Sequence, residues 1–311
     1  MSVLVSGSVA YDTIMVFQDQ FKNHILPDKV HMLSVSFLVP ELRREFGGCA
    51  GNIAYNLKLL GGEPLIVATA GQDFGPYSER LDQLGIRSDA IRVLPDYFTP
   101  QCFITTDVAD NQITAFHPGA MGRSDENKPD LSDVTLGIVG PDGLRGMQCR
   151  CEEMAEVNIP FIFDPGQAMP LFTGEELLAC IRSASYLAVN DYEAELMQHK
   201  TGKTIDELAK EVKALIVTLG AEGSRIYADG KVLAIPPAPA RAVVDPTGCG
   251  DAYRAGLLHG ITHGWDWHAS GRLASLLGAI KIAERGAQNH TFTPESLAES
   301  YLHAFGERWP G

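Results

Sequence analysis

The segment Val244-Asp-Pro-Thr-Gly-Cys-Gly-Asp-Ala-Tyr-Arg-Ala-Gly256 gathers the residue types that group transfer needs. Gly248 and Gly250, with Cys249 between them, leave backbone amides open to close approach, and a helix is expected to start there. Free amides at a helix N-terminus form an anion hole. Asp251 falls in the first turn of that helix. A carboxylate there can take a proton from a substrate hydroxyl while the amides hold a transferring phosphoryl group. A Gly-rich turn with an Asp near a helix start also fits plain capping, so the loop alone leaves two readings open.

Other segments have comparable chemistry. Gly47-Gly48-Cys49-Ala50-Gly51-Asn52 precedes a helical run, and Asn52 offers both donor and acceptor to a polyol; tight helix-on-sheet packing is the alternative. Asp12 follows the first expected strand, and an ionised Asp suits a cis-diol, although such a residue also serves in a simple turn. Asn190 and Glu193 lie three apart at a strand-to-helix junction. They can gather waters around a magnesium ion, or act as a capping box. Thr218-Leu-Gly-Ala-Glu-Gly223 is a second Gly-rich turn after a strand, suited to a nucleotide.

Some patterns carry nothing. Gly202-Lys203-Thr204 mimics the end of a P-loop, but Met197 stands where the upstream glycine belongs. No G-x-G-x-x-G occurs, which argues against a nicotinamide-dependent oxidoreductase. His259 and His263 share a helix face without an acidic partner and read as ordinary helix residues. Asn289-His290-Thr291 matches a glycosylation acceptor in form only.

The elements that must position these residues alternate. Short apolar runs at Val3–Val5, Leu65–Ala68, Ile138-Val139, Phe161–Phe163, Tyr186–Val189 and Leu215–Leu219 are each followed by turn or helix signals. Such alternation predicts an α/β fold, a mostly parallel sheet covered on both faces. Asp229-Gly230 inside Ser224–Pro236 predicts a hairpin, and two helices are expected from Cys249 to about Arg285, broken at Gly264-Trp265-Asp266. Two regions break the alternation. Thr13–Phe17 and Val30–Phe37 are β-rich without a helix between them, and 99–117 reads as two strands joined at Asp110-Asn111. Together they predict a small β lid made of 13–46 and 99–117, standing off a large domain made of 1–12, 47–98 and 118–311.

The 311 residues suffice for one large domain, and 45% hydrophobic with 21% charged residues marks a globular chain. A formal charge of −14 repels nucleic-acid phosphates and anionic membranes, so neither is expected as a partner. No basic leader with an apolar stretch opens the sequence, and six scattered cysteines show no disulfide or zinc spacing. A cytoplasmic protein with reduced thiols is the expectation.

With these residues set out, the chain resembles the ribokinase-like (PfkB) family of carbohydrate and nucleoside kinases. The motifs that carry the likeness are Gly47-Gly48 with Asn52, Asn190-x-x-Glu193, Thr218–Gly223 and Asp245-Pro-Thr-Gly-Cys-Gly-Asp251, in an order that spans nearly the whole chain. The family loop usually has Ala where Cys249 stands. Gly7-Ser8-x-Ala10-x-Asp12, Ser34-Val-Ser-Phe-Leu38 and Phe116-x-Pro118-Gly119-Ala120-Met121 add a likeness to bacterial adenosine kinases. The resemblance implies a three-layer α/β/α sandwich with a lid, and γ-phosphoryl transfer from ATP to the 5′-hydroxyl of adenosine. It implies Asp251 as catalytic base and Gly248, Cys249 and Gly250 as anion hole. Asp12, Gly48 and Asn52 would hold the ribose, and Ser8, Ser36, Phe116 and Gln167 would line the nucleoside pocket. Asn190, Thr218, Gly220, Gly223 and Gln288 would border ATP, with Glu193 organising Mg²⁺ through water. A monovalent cation, and a homodimer clasped through the lid, are left open. At the lid position where an aromatic is expected Cys102 stands beside Phe103, and strand register decides which one faces the pocket. A PfkB-type sugar kinase is the runner-up, and a catalytically silent nucleoside-binding regulator the alternative from another class.

Overall fold

The computed structural model describes residues 2–25, 34–109 and 111–310. Its frame is a nine-stranded sheet in the order β13-β12-β11-β10-β9-β8-β1-β4-β5. These strands are β1 (Ser2–Ser6), β4 (Pro64–Gly71), β5 (Ile91–Leu94), β8 (Val134–Val139), β9 (Phe161–Phe163), β10 (Tyr186–Asn190), β11 (Ala214–Thr218), β12 (Ser224–Ala228) and β13 (Lys231–Ile235). From β5 to β11 every pairing is parallel, whereas β12 and β13 add an antiparallel hairpin at the edge. Asp229 and Gly230 both have positive φ, as its tight turn requires.

Alternation along β1 shows how the layers form. Val3 and Val5 enter one apolar core and Leu4 the other, because successive side chains point to opposite faces. The first core lies under α1 (Cys49–Leu59), α2 (Gly75–Leu84) and α7 (Cys249–Thr262). The second lies under α3 (Leu144–Glu156), α4 (Gly174–Ser183), α5 (Asp191–Thr201) and α6 (Ile205–Ala209). α8 (Trp267–Lys281) packs on α7 and carries α9 (Pro294–Phe305) on its outer side. This is the expected ribokinase-like α/β/α sandwich. Among the described residues no helix is long and apolar enough to cross a membrane.

A separate four-stranded sheet has the order β3-β2-β6-β7. It is built from β2 (Ala10–Val16), β3 (Glu41–Gly47), β6 (Gln101–Thr106) and β7 (Gln112–His117). Two expectations need correction. The strand read at Val30–Phe37 is not there: residues 30–33 lie outside the described residues, and 34–37 have no regular structure. The strand is Glu41–Gly47 instead. It is an edge strand whose Arg43, Arg44 and Glu45 hide the apolar alternation, as charged edges do. β2 also opens at Ala10, so Asp12 sits inside the small sheet and not in the main body.

Asp73, just beyond β4, ties the small sheet to the large one. Its carbonyl accepts from the Tyr11 hydroxyl at 3.0 Å. Its carboxylate accepts from the Thr99 amide at 2.7 Å and the Gln101 side chain at 2.9 Å. Open parallel sheets bind ligands where strand order reverses, beyond the carboxyl ends of the strands. Here the reversal falls between β1 and β8, and there the Ser8 amide donates to the carbonyl of Pro141 at 3.0 Å.

Candidate active site

The Val244–Gly250 loop is docked on the turn that follows α8. The amides of Val244 and Asp245 donate to the carbonyl of Ile282 at 2.8 and 3.1 Å. The Asp245 carboxylate accepts from the amides of Thr247 and Gly286, both at 2.9 Å. Gly248 then begins α7 at φ 79°, in the left-handed region, where an added Cβ would meet that of Ala287 at 2.8 Å. No side chain caps α7. One expectation changes: the Cys249 amide donates to the carbonyl of Pro246 at 3.2 Å, so it is spent within the loop. The amides of Gly248, Gly250 and Asp251 make no such bond among the described residues and are what an anion would meet.

Asp251 is held by a chain of side chains from α1, α2 and the segment that follows α8. Asn52 Nδ2 donates to Asp251 Oδ2 at 2.8 Å. Gln288 Nε2 donates to Asn52 Oδ1 at 3.0 Å and to the Tyr77 hydroxyl at 2.9 Å, and that hydroxyl donates to the carbonyl of Gly47 at 2.7 Å. Asn52 can therefore present only its amide to Asp251. Gln288 is 2% exposed and its NH₂ is used on Asn52 and Tyr77, so its side chain supports the site from inside. Burial pushes the Asp251 carboxyl up to about 6, and the neighbouring Asp164 acts in the same direction, while Asn52 and Arg254 oppose them. Such a group is ionised at neutral pH yet a stronger base than a free carboxylate.

Arg254 and Asp164 form a pair that sequence reasoning missed. Arg254 lies three residues after Asp251 on α7, and its Nε donates to Asp164 Oδ2 at 3.0 Å. Both side chains are buried. An arginine in an otherwise small and apolar helix segment, Ala252 to Leu258, was the available signal. The pair adjoins Glu193, whose carboxyl is raised by burial and by Asp164 and lowered by Arg254.

The small sheet supplies the opposite wall. Register aligns Glu45, Asp12, Cys102 and Phe116 across its four strands, and residues in such a row share a face. This face looks at the loop just described: Asp245 and Glu45 both help raise the Asp12 carboxyl, to about 6, after the larger effect of burial. Asn289 also donates to Glu45 at 2.9 Å. Register therefore puts Cys102 on the Asp12 side and Phe103 on the other. Phe116 is 47% exposed there. Ser8 is buried at the end of β1 and accepts the Cys49 amide at 3.2 Å. Ser36 and Gln167 are exposed, and neither makes a side-chain hydrogen bond among the described residues.

Asn190 and Glu193 form a capping box at the start of α5, Glu193 amide to Asn190 Oδ1 at 2.7 Å and Asn190 amide to Glu193 Oε2 at 2.8 Å. Asn190 Nδ2 and Glu193 Oε1 stay free of that box. Among the described residues no three His, Cys, Asp or Glu side chains gather as a metal cage. The donors present, Glu193 with Asp164 behind it, fit an ion that keeps most of its water, as Mg²⁺ does. Thr218 ends β11, and its hydroxyl reaches the Val189 carbonyl at 3.4 Å. The turn from Gly220 to Gly223 closes with the Leu219 amide on the Gly223 carbonyl at 2.8 Å. His259 and His263 stack on each other beside Trp265 and Trp309, and the six cysteines are free thiols.

Residues 8–294 match the pfkB family carbohydrate kinase model. The chain is 33% identical over 269 residues to a nucleoside kinase of Methanocaldococcus jannaschii, covering 86% of this chain and 88% of that protein. It is also similar to the Burkholderia thailandensis nucleoside kinase solved in complex with inosine, at 50% identity and a TM-score of 0.90 over 100% of both chains. The ADP-inosine complex of that protein gives 52% identity and a TM-score of 0.88, over 100% of this chain and 98% of the other. With the match spanning nearly its whole length, and the Asp251 loop standing at the end of a ribokinase-like sheet, the chain belongs to the pfkB family of carbohydrate kinases.

Proposed function

We propose that the chain is an ATP-dependent nucleoside kinase whose preferred acceptor is the 5′-hydroxyl of adenosine, giving AMP and ADP. The observation that carries the reading is Asp251, a partly buried carboxylate fixed by Asn52 beside the free amides that open α7. The hydroxyl gives its proton to Asp251 as its oxygen attacks the γ-phosphorus in line, and ADP leaves. The amides of Gly248, Gly250 and Asp251 face the charge on the transferring group. Asp12 accepts the ribose diol, Asn52 and Gly48 close on the sugar from α1, and Ser8, Ser36 and Gln167 edge the base pocket under Phe116. Thr218, Gly220 and Gly223 border ATP. Glu193, with Asn190, would hold hydrated Mg²⁺, which supplies positive charge to the phosphates. Arg254 holds Asp164 and keeps that carboxylate from facing Asp251 unscreened.

The relative solved with inosine favours a broader second reading, in which several purine nucleosides serve. A phosphorylation screen of adenosine, inosine, guanosine, ribose and fructose with ATP and Mg²⁺ tests both. Adenosine is expected to give the highest kcat/KM. Equal values for inosine would favour the broader reading, and a preference for ribose or fructose would overturn the nucleoside assignment.

A further inference from the structure

A lysine lies buried behind the anion-hole loop, and none of the roles above uses it. Lys281 ends α8 with no exposed surface, although its neighbours on that helix, Leu273, Leu276 and Leu277, are apolar. Its Nζ donates to the carbonyl of Asp245 at 2.7 Å and to that of Glu284 at 3.0 Å. These carbonyls belong to the two segments whose docking sets the loop, one on each side of the Asp245 carboxylate's bond to Gly286. Burying an ammonium is costly unless fixed dipoles or charges compensate it, so an apolar side chain would fill this place more cheaply if packing were all that mattered. Burial pulls the Lys281 ammonium toward neutrality, and Asp245 holds its proton on. The charge is also felt at the first residue of α7, where Lys281 opposes the rise of the Cys249 thiol.

We infer that Lys281 is a tethered monovalent cation for the anion-hole loop, clamping the carbonyls of Asp245 and Glu284 so that the chain needs no dissolved potassium there. An ammonium group and a potassium ion are close in size, and backbone carbonyls satisfy both. A free monovalent cation, which the family resemblance left open, does not fit beside it, because these two carbonyls are already taken. Without the ammonium the Glu284 carbonyl loses this partner and that of Asp245 keeps only the weak Cys249 thiol at 3.9 Å, and the loop that aims the Gly250 and Asp251 amides loses its clamp. The inference rests on the phosphoryl-transfer reading of that loop.

The test compares the unaltered chain with Lys281→Met and Lys281→Ala in potassium, methylammonium, sodium and tetramethylammonium chloride at one ionic strength. ADP affinity by calorimetry, melting temperature and kcat are read in each. The unaltered chain is expected to be indifferent to the cation. Lys281→Met should lose about 10- to 150-fold in ADP affinity or kcat, the range for a hydrogen bond to a charged group. In Lys281→Ala, which leaves room, potassium or methylammonium should restore part of that loss and raise the melting temperature with concentration. Potassium activation of the unaltered chain overturns the inference, and this arm stands even if neither variant folds. A folded Lys281→Ala chain that neither ion restores overturns it as well, as does Lys281→Met with unchanged ADP affinity and rate. If the unaltered chain phosphorylates no nucleoside, the kinase reading fails, while ADP affinity and melting still decide the lysine.

Discussion

Asp251 and Asp12 are both carboxylates raised to about 6 by burial, so each is ionised at neutral pH at some cost to the fold. For Asp251 the folded chain binds its proton more tightly than the unfolded chain, which titrates near 3.8. Stability therefore falls as pH rises from about 4 to about 6, and the penalty is complete above that. Asp251→Asn removes the base and the penalty together. It is expected to lower kcat by about 10²–10⁴-fold with adenosine binding nearly unchanged. The same variant should gain about 1–3 kcal/mol of unfolding free energy at pH 7 and little at pH 4, which denaturant titrations at both pH values would read. A fall in stability at pH 7 would mark Asp251 as structural. Asp12 adds a second proton to the acid limb of kcat/KM. Activity should rise through pH 6 with a slope approaching two, and Asp12→Asn should reduce that slope to one. Asp12→Ala should weaken adenosine by about 1.5–3 kcal/mol and its 2′-deoxy analogue much less; equal losses would place Asp12 away from the diol.

At the level of elements, the Gly47-Gly48 loop shows why spacing alone left its role open. Both glycines are required, for different reasons. Gly47 ends β3 under Asp12, and a Cβ there would stand 2.6 Å from Asp12 Oδ2, the end of a side chain that can move. Gly48 has φ 84°, and its Cβ would stand 2.6 Å from the Ser8 carbonyl oxygen and 2.7 Å from the Ala10 amide, neither of which can yield. Gly47→Ala is therefore expected to fold, yet to raise the KM for adenosine about tenfold or more by turning the Asp12 carboxylate aside. Gly48→Ala should instead lose about 2–5 kcal/mol of stability, from left-handed backbone strain added to overpacking. Melting curves beside kinetics separate the two. The strands of the large sheet were legible because buried parallel strands are continuous apolar runs, such as Leu215–Leu219. β3 was not, because an exposed edge strand shows no apolar face. The Asn190–Glu193 spacing supports both the cap and an ion site. The cap is visible in its two hydrogen bonds, whereas the ion site rests on Glu193 Oε1, the carboxylate oxygen they leave unused.

Across the whole molecule, the site assembles from segments far apart in the chain, and this limits what a sequence can reveal. Asp12, Asn52, Asp164 and Asp251 come from four elements or their ends, and only the docking of the small sheet on the α/β frame brings them together. Motifs announced three of them. Asp164 carries no such motif, because its partner Arg254 is known only from the fold. Register in the small sheet is likewise hidden in the sequence; the pairing of β2, β6 and β7 sets Cys102 and Phe116 on the Asp12 face and Phe103 on the reverse. That pairing sharpens the expectation for Phe116. The ring is 47% exposed on a strand whose residues are all exposed, so it does not pack in a lid core of its own. Truncating it should leave the melting temperature within a degree or so, since surface substitutions stay within about 0.5 kcal/mol. If the lid closes on the nucleoside, the ring meets the purine, and base–aromatic stacking is worth about 1–3 kcal/mol. Phe116→Ala is then expected to raise the KM for adenosine about 5- to 150-fold with the chemistry at Asp251 retained at saturation. A free sugar, with no base to stack, would lose far less. Should adenosine KM stay put while melting drops, the ring supports the lid and the base is recognised elsewhere.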